Sequence, residues 1–109
     1  MSCHRKKWED PSTDLSAVTA VTTGTWAITS AADLVRFLIV ATGVTTGGTV
    51  LVEGNTKADG TGTTLTVNTT TVSATGTTRG EVNETYVFPA LRTKLSARTD
   101  GTYTTTIQR

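Results

Sequence analysis

Few residues in this chain could do chemistry, and their spacing argues against it. His4 is the only histidine and Cys3 the only cysteine, and they stand side by side near the N-terminus. No serine–histidine–acid arrangement can be assembled away from His4, and two adjacent ligands do not make a zinc site. Glu81 and Glu84 suggest a carboxylate pair, but residues three apart on a strand face opposite sides. Asp59-Gly60-Thr61-Gly62 lacks the alternating oxygen ligands of a calcium loop and the lysine and helix of a phosphate loop, so it reads as a turn. Arg5-Lys6-Lys7 is basic but is followed at once by Glu9-Asp10, which argues against nucleic acid. Arg92, Lys94 and Arg98 form a stripe whose plain reading is salt bridging to Glu81 and Glu84 on neighbouring strands. No enzyme activity, cofactor or metal site is expected.

The elements around these residues are strands. The 109 residues suffice for one domain, and a net charge of +1 gives no field to steer the chain to nucleic acid or an acidic membrane. Leu, Ile, Val and Phe make up about a fifth of the chain, enough for a thin core. Threonine is the outstanding residue, with 28 copies. It suits the pleat of a strand and keeps an outer face polar and almost uncharged. A lone cysteine rules out an internal disulfide. The longest apolar run, Phe37 to Ala41, is far too short for a membrane helix, and the basic N-terminus lacks the apolar stretch of a signal peptide. Synthesis and folding in a reducing cytoplasm are expected.

Strand patterns run from Leu15 to Thr23 and from Thr25 to Thr29, the latter with Trp26 and Ile28 on one face. Leu34–Thr42 is apolar on both faces and is the predicted central strand, with Phe37 and Ile39 buried on one side and Leu38 and Val40 on the other. Further strands are predicted over Thr49–Asn55, Thr63–Thr69 (Leu65 and Val67 inward), Thr71–Ala74, Glu81–Phe88, Leu91–Ala97 and Thr102–Gln108. Trp26, Phe37 and Tyr103 are expected to look inward. Asp100-Gly101 is a hairpin signal, and no helical period occurs. The fold class is therefore all-β: an antiparallel β-sandwich, or flattened barrel, of about eight short strands. Residues 1–14 hold six charges and one of the two tryptophans and read as an extended N-terminal arm; residues 15–109 form the sandwich domain. The final strand, Thr102–Gln108, carries no charge to stop another chain from pairing with it as an edge, which points to self-association.

Leu34-Val35-Arg36-Phe37-Leu38-Ile39-Val40, Gly48-Thr49-Val50-Leu51-Val52-Glu53-Gly54-Asn55 and Asp59-Gly60 resemble the small β-sandwich virion proteins of tailed bacteriophages. Tyr86-Val87-Phe88, Leu91 to Ala97 and Asp100-Gly101-Thr102 are similar to the same family, whose Arg-bearing strand and Gly-Thr hairpin close the sandwich. The chain departs from that pattern in having Thr63 to Leu65, with no aromatic, after the Asp59-Gly60 loop. The resemblance implies a structural role in the virion, and the reading drawn from it is a capsid decoration (cement) protein on the outside of the head shell, partnered by the major capsid protein; the thin core and the uncharged final strand add the expectation of a homotrimer. The resemblance leaves a tail, neck or fibre-associated part as the alternative. A carbohydrate-binding module would need exposed aromatics, and the chain has only six aromatic residues. The arm is the candidate partner-binding segment, with Trp8 as anchor and Arg5, Lys6 and Lys7 facing acidic shell residues.

Overall fold

The computed structural model describes residues 10–29, 34–82 and 88–109. Nine strands make two antiparallel sheets that pack as a β-sandwich. They are β1 (Ser12–Val18), β2 (Thr22–Thr23), β3 (Ala27–Ile28), β4 (Val35–Thr42), β5 (Gly48–Asn55), β6 (Thr64–Val72), β7 (Gly76–Val82), β8 (Ala90–Arg98) and β9 (Thr102–Gln108). One sheet has the order β1-β9-β4-β7. The other has the order β2-β8-β5-β6, with β3 also paired to β8. Among the described residues there is no helix.

Alternation fixes which side of each strand is buried. In β9, Tyr103, Thr105 and Ile107 are buried while Thr102, Thr104, Thr106 and Gln108 are half-buried on the other face. In β4, Val35, Phe37, Ile39 and Ala41 face the core. Leu38 and Val40 take the opposite face and are only half-buried, because no further layer covers them among the described residues. The opposing sheet supplies Val50 and Val52 from β5 and Leu91 and Leu95 from β8. Burying side chains of this size contributes about 1.5–3 kcal/mol each, which holds the sandwich together without any disulfide. The ring of Phe37 lies over Gly80 of β7, where a Cβ would come within 2.5 Å of its Cζ. Glycine there is a matter of space: its missing side chain is the room Phe37 occupies.

Several sequence expectations change. Asp100-Gly101 does not close a hairpin, because β8 and β9 belong to different sheets. The final strand β9 is not an edge; it lies between β1 and β4, where both its ladders are satisfied. The first strand begins at Ser12, so Asp14 belongs to the sheet. Thr63–Thr69 and Thr71–Ala74 are largely one strand, β6, and Leu65 on it is 49 % exposed. Phe88, not Leu65, fills the space over Gly54, the residue opposite Leu65: a Cβ on Gly54 would sit 2.6 Å from the Phe88 ring. Ile28, expected inward, is 56 % exposed on the two-residue β3. Of the expected strand Glu81–Phe88, residues 83–87 lie outside the described residues, and the paired strand β7 is Gly76–Val82.

Candidate partner-binding surface

Arg5, Lys6, Lys7 and Trp8 all lie outside the described residues, as do Cys3, His4 and Glu84. The described chain enters at Asp10 and Pro11 and passes straight into β1. Pro11 stands at the rim of a cavity on the outer face of the β1-β9-β4-β7 sheet.

Strand register builds that face. Arg36 of β4 stands between Gln108 of β9 and Glu81 of β7; Leu38 stands between Thr106 and Arg79; Val40 stands between Thr104 and Thr77. A cavity of about 290 Å³ is lined by Pro11, Arg36, Phe37, Leu38, Arg79, Thr106 and Gln108. A second, of about 340 Å³, lies between Arg36, Arg79, Gly80 and Glu81. The Arg36 Nε donates to Gln108 Oε1 at 2.5 Å, which orients the guanidinium along the sheet. Leu38 thus forms an apolar floor flanked by two guanidinium groups. Such a surface suits a protein partner that offers carboxylates around an apolar contact, because guanidinium groups bind carboxylates in a fixed fork geometry. Arg36 and Arg79 were not singled out in the sequence. Their signal is one cation in an otherwise apolar strand and one in a strand whose only apolar side chain is Val82.

The outer face of the other sheet is closed by its own polar groups. Arg92 Nε donates to Glu53 Oε1 at 2.9 Å, and Glu53 is only 9 % exposed. Trp26 does not look into the core; its ring covers the Arg92 guanidinium at 4.1 Å. The loop after β5 folds back under that indole. Gly60 makes this possible twice over, with a left-handed φ of +80° and no Cβ to strike Trp26. Buried Asn55 holds the loop: its Nδ2 donates to the carbonyls of Gly60 and Gly62, and its Oδ1 accepts from the amides of Lys57 and Gly62. Asp59 accepts from the hydroxyl and amide of Thr61, and these bonds hold its carboxyl below the usual value. Asp59-Gly60-Thr61-Gly62 is a turn with its bonding internally satisfied. The expected pairing of Arg92, Lys94 and Arg98 with Glu81 does not form. Glu81 lies on the opposite sheet beside Arg36, Arg92 takes Glu53, and Arg98 Nε donates to the Gly101 carbonyl at 2.8 Å.

Two further aspartates hold the fold. Asp14 of β1 reaches across to the other sheet: its Oδ2 accepts from the Thr93 amide at 2.7 Å and the Thr93 hydroxyl at 2.5 Å, and its Oδ1 from the Thr25 amide at 2.8 Å. The Thr93 hydroxyl also meets the Thr105 hydroxyl at 2.6 Å, and Thr105 Oγ1 accepts from the Leu15 amide. This polar chain crosses the interior from β8 to β9. Asp100 accepts from the amides of Thr45, Thr46 and Gly47, which tie the β4–β5 connection to the β8–β9 turn and keep its carboxyl below the usual value. Tyr103 donates its hydroxyl to the Asp100 carbonyl, and burial pushes its phenol up.

Among the described residues no group of three or more His, Cys, Asp or Glu side chains could hold a metal ion. No helix there is long and apolar enough to cross a membrane. No protein-family model, no curated protein and no solved structure matches the chain.

Proposed function

We propose that the chain is a structural virion protein of a tailed phage: a decoration (cement) protein that binds the outside of the head shell. The observation that carries this reading is the outer face of the β1-β9-β4-β7 sheet, with Leu38 between Arg36 and Arg79 and Pro11 at its rim. Asp10 and Pro11, where the described residues begin, lead into β1 beside this apolar floor and its cations. Arg5, Lys6, Lys7 and Trp8 precede Pro11 in the sequence; in this reading the three cations meet acidic shell residues and Trp8, of large area and low side-chain entropy, is the anchor. The resemblance of Leu34–Val40 and Gly48–Asn55 to phage β-sandwiches supplies the partner class.

The mechanism is mass action. A protein that binds the assembled shell and not its free subunits stabilises the shell by its binding free energy at every site. A stiff sandwich with a threonine-covered surface gives up little side-chain entropy when it docks. Self-association belongs to this reading, but the trimer expected from β9 loses its edge, since β9 is interior.

The test is co-sedimentation of the purified chain with isolated phage heads, followed by protein quantification. The full chain is expected to pellet with heads in many copies per shell. Arg79→Ala and deletion of residues 1–9 are each expected to weaken binding about fivefold, the size of one interfacial contact worth about 1 kcal/mol. Recovery only with isolated tails, or unchanged binding by both variants, would overturn the proposal.

A further inference from the structure

We propose that β6 is the docking edge for a second copy of this chain, joined through Asn68–Val72 in antiparallel pairing with the same segment of its partner. The sandwich has four lateral edges, and three are protected. The β1 edge carries Asp14, two register shifts and Ala17 at a left-handed φ of 48°. The β2 and β3 edge consists of two-residue pieces. The β7 edge bears Arg79 and Glu81. Charges, irregularities and short length are the devices that stop edge strands from recruiting other chains. The nine residues of β6 contain no charge, no proline and no glycine. A register shift against β5 leaves Val67 as an extra residue, but from Asn68 to Val72 the pairing with Gly48–Val52 is continuous. Among the described residues nothing pairs with the other side of this run.

A second observation marks the same side of the molecule. A cavity of about 190 Å³ opens beside the β6 end and reaches Ile39 and Ala41 of the opposite sheet, with Thr71 and Val72 on its rim. The β6 end thus borders a depression in the surface where its outward backbone groups are unpaired among the described residues.

The run is its own complement. With a twofold axis at Thr70, Thr69 of one copy stands opposite Thr71 of the next, Asn68 opposite Val72, and Thr70 opposite itself. Directly opposed threonines are favourable cross-strand pairs, and a run without charge does not repel its copy. A strand from an unrelated protein would be selected by charges along the edge, and Asn68–Val72 offers none to read. The contact is isologous, so it closes as a dimer and joins two sheets into one.

Thr69 and Thr71 are exposed, so they accept longer side chains without entering the core. In a copy carrying Thr69→Lys and Thr71→Lys, like charges stand opposite each other across the twofold. With Thr69→Glu and Thr71→Glu in the other copy, each ammonium faces a carboxylate. Sedimentation velocity over micromolar to millimolar concentration is expected to show the parent's mass rising from 11.4 kDa towards twice that value. The lysine variant and the glutamate variant should each stay at 11.4 kDa, with the parent's far-UV circular dichroism, and their equimolar mixture should recover the dimer. A parent that stays monomeric, a trimer, a lysine variant that associates as the parent does, or a mixture that fails to associate would each overturn the proposal. No shell is needed, so the outcome is independent of the virion reading.

Discussion

Replacing Asp14 with alanine should cost far more than its half-exposed position on the first strand suggests. Its carboxylate accepts three hydrogen bonds, two from Thr93 of the other sheet and one from Thr25 in the connection between β2 and β3. Thr93 is fully buried. After Asp14→Ala the Thr93 hydroxyl keeps Thr105 as a partner, but the Thr93 amide has no other acceptor in reach. An orphaned buried donor costs about 1–3 kcal/mol, and each bond to a charged group contributes about 1.5–3 kcal/mol before water replaces part of it. Water can serve the Thr25 amide, which is exposed. The expected loss is therefore about 3 kcal/mol, which in a domain of this size lowers Tm by roughly 12–20 °C. Asp14→Asn should recover only part, because one of its two terminal atoms is an NH₂ that cannot accept. Urea denaturation followed by far-UV circular dichroism measures the change. A double-mutant cycle with Thr93→Val isolates the bridge, and a coupling of at least about 1 kcal/mol is expected. A loss below about 1 kcal/mol, or additivity within about 0.5 kcal/mol, would refute the bridge as a cross-sheet clamp.

Phe37→Ala should cost about 3–5 kcal/mol in urea denaturation, because it empties the space over Gly80 in the middle of the core. Gly60→Ala should destabilise by about 1–3 kcal/mol and raise the exposure of Trp26, read as a red shift of tryptophan emission, since both the left-handed φ and the indole oppose a Cβ. Asp100 has a carboxyl held below its usual 3.8 by the amides of Thr46, Gly47 and Thr45. Its contribution is present above the unfolded value and is lost as pH falls from about 4 through the lowered folded value. The urea midpoint of the parent should therefore drop in that window, and Asp100→Asn should start lower at neutral pH and lose less on acidification.

The sequence patterns that located strands well are those where apolar residues alternate or run together. Leu34–Thr42 became β4 (Val35–Thr42), Thr49–Asn55 became β5 (Gly48–Asn55), and the stretches either side of Asp100-Gly101 became β8 and β9, although these cross between the two sheets at that turn and do not form the expected hairpin. Of strand β7 only Glu81 and Val82 are legible as strand, because its inward position opposite Phe37 is Gly80, which leaves room and no apolar mark. The position of β9 was misjudged for a related reason. Absence of charge marks an interior strand as well as an open edge, and only pairing with β1 and β4 separates the two. Alternation puts Trp26 and Ile28 on one face and reads it as inward, whereas the Trp26 ring lies over the Arg92 cation and Ile28 is exposed. Asp14 lies in a charged N-terminal stretch that reads as surface, yet its carboxylate reaches Thr93 of the opposite sheet. The exposed pairing of Arg36 and Arg79 around Leu38 needed the β4–β7 register, which no local pattern encodes.

The pairing of β1 with β9 sets the order in which the molecule can be completed. The Leu15 amide bonds to Thr105, 90 residues away, and Asp14 bonds to Thr93, 79 residues away. Contacts this distant close large loops before any reward is gained, which places folding in the slow range of about milliseconds to seconds. The hairpin β5–β6 can form early, since its two strands are neighbours in the chain. The strand β1 must wait for the last strand to emerge before it has a place to bind. During that interval the apolar run of β4 stands without β9 beside it, and transient exposure of such a strand is the moment of greatest aggregation risk. A threonine-rich, nearly uncharged chain gives little electrostatic protection at that stage, so yield should fall with synthesis temperature and protein concentration before native stability does.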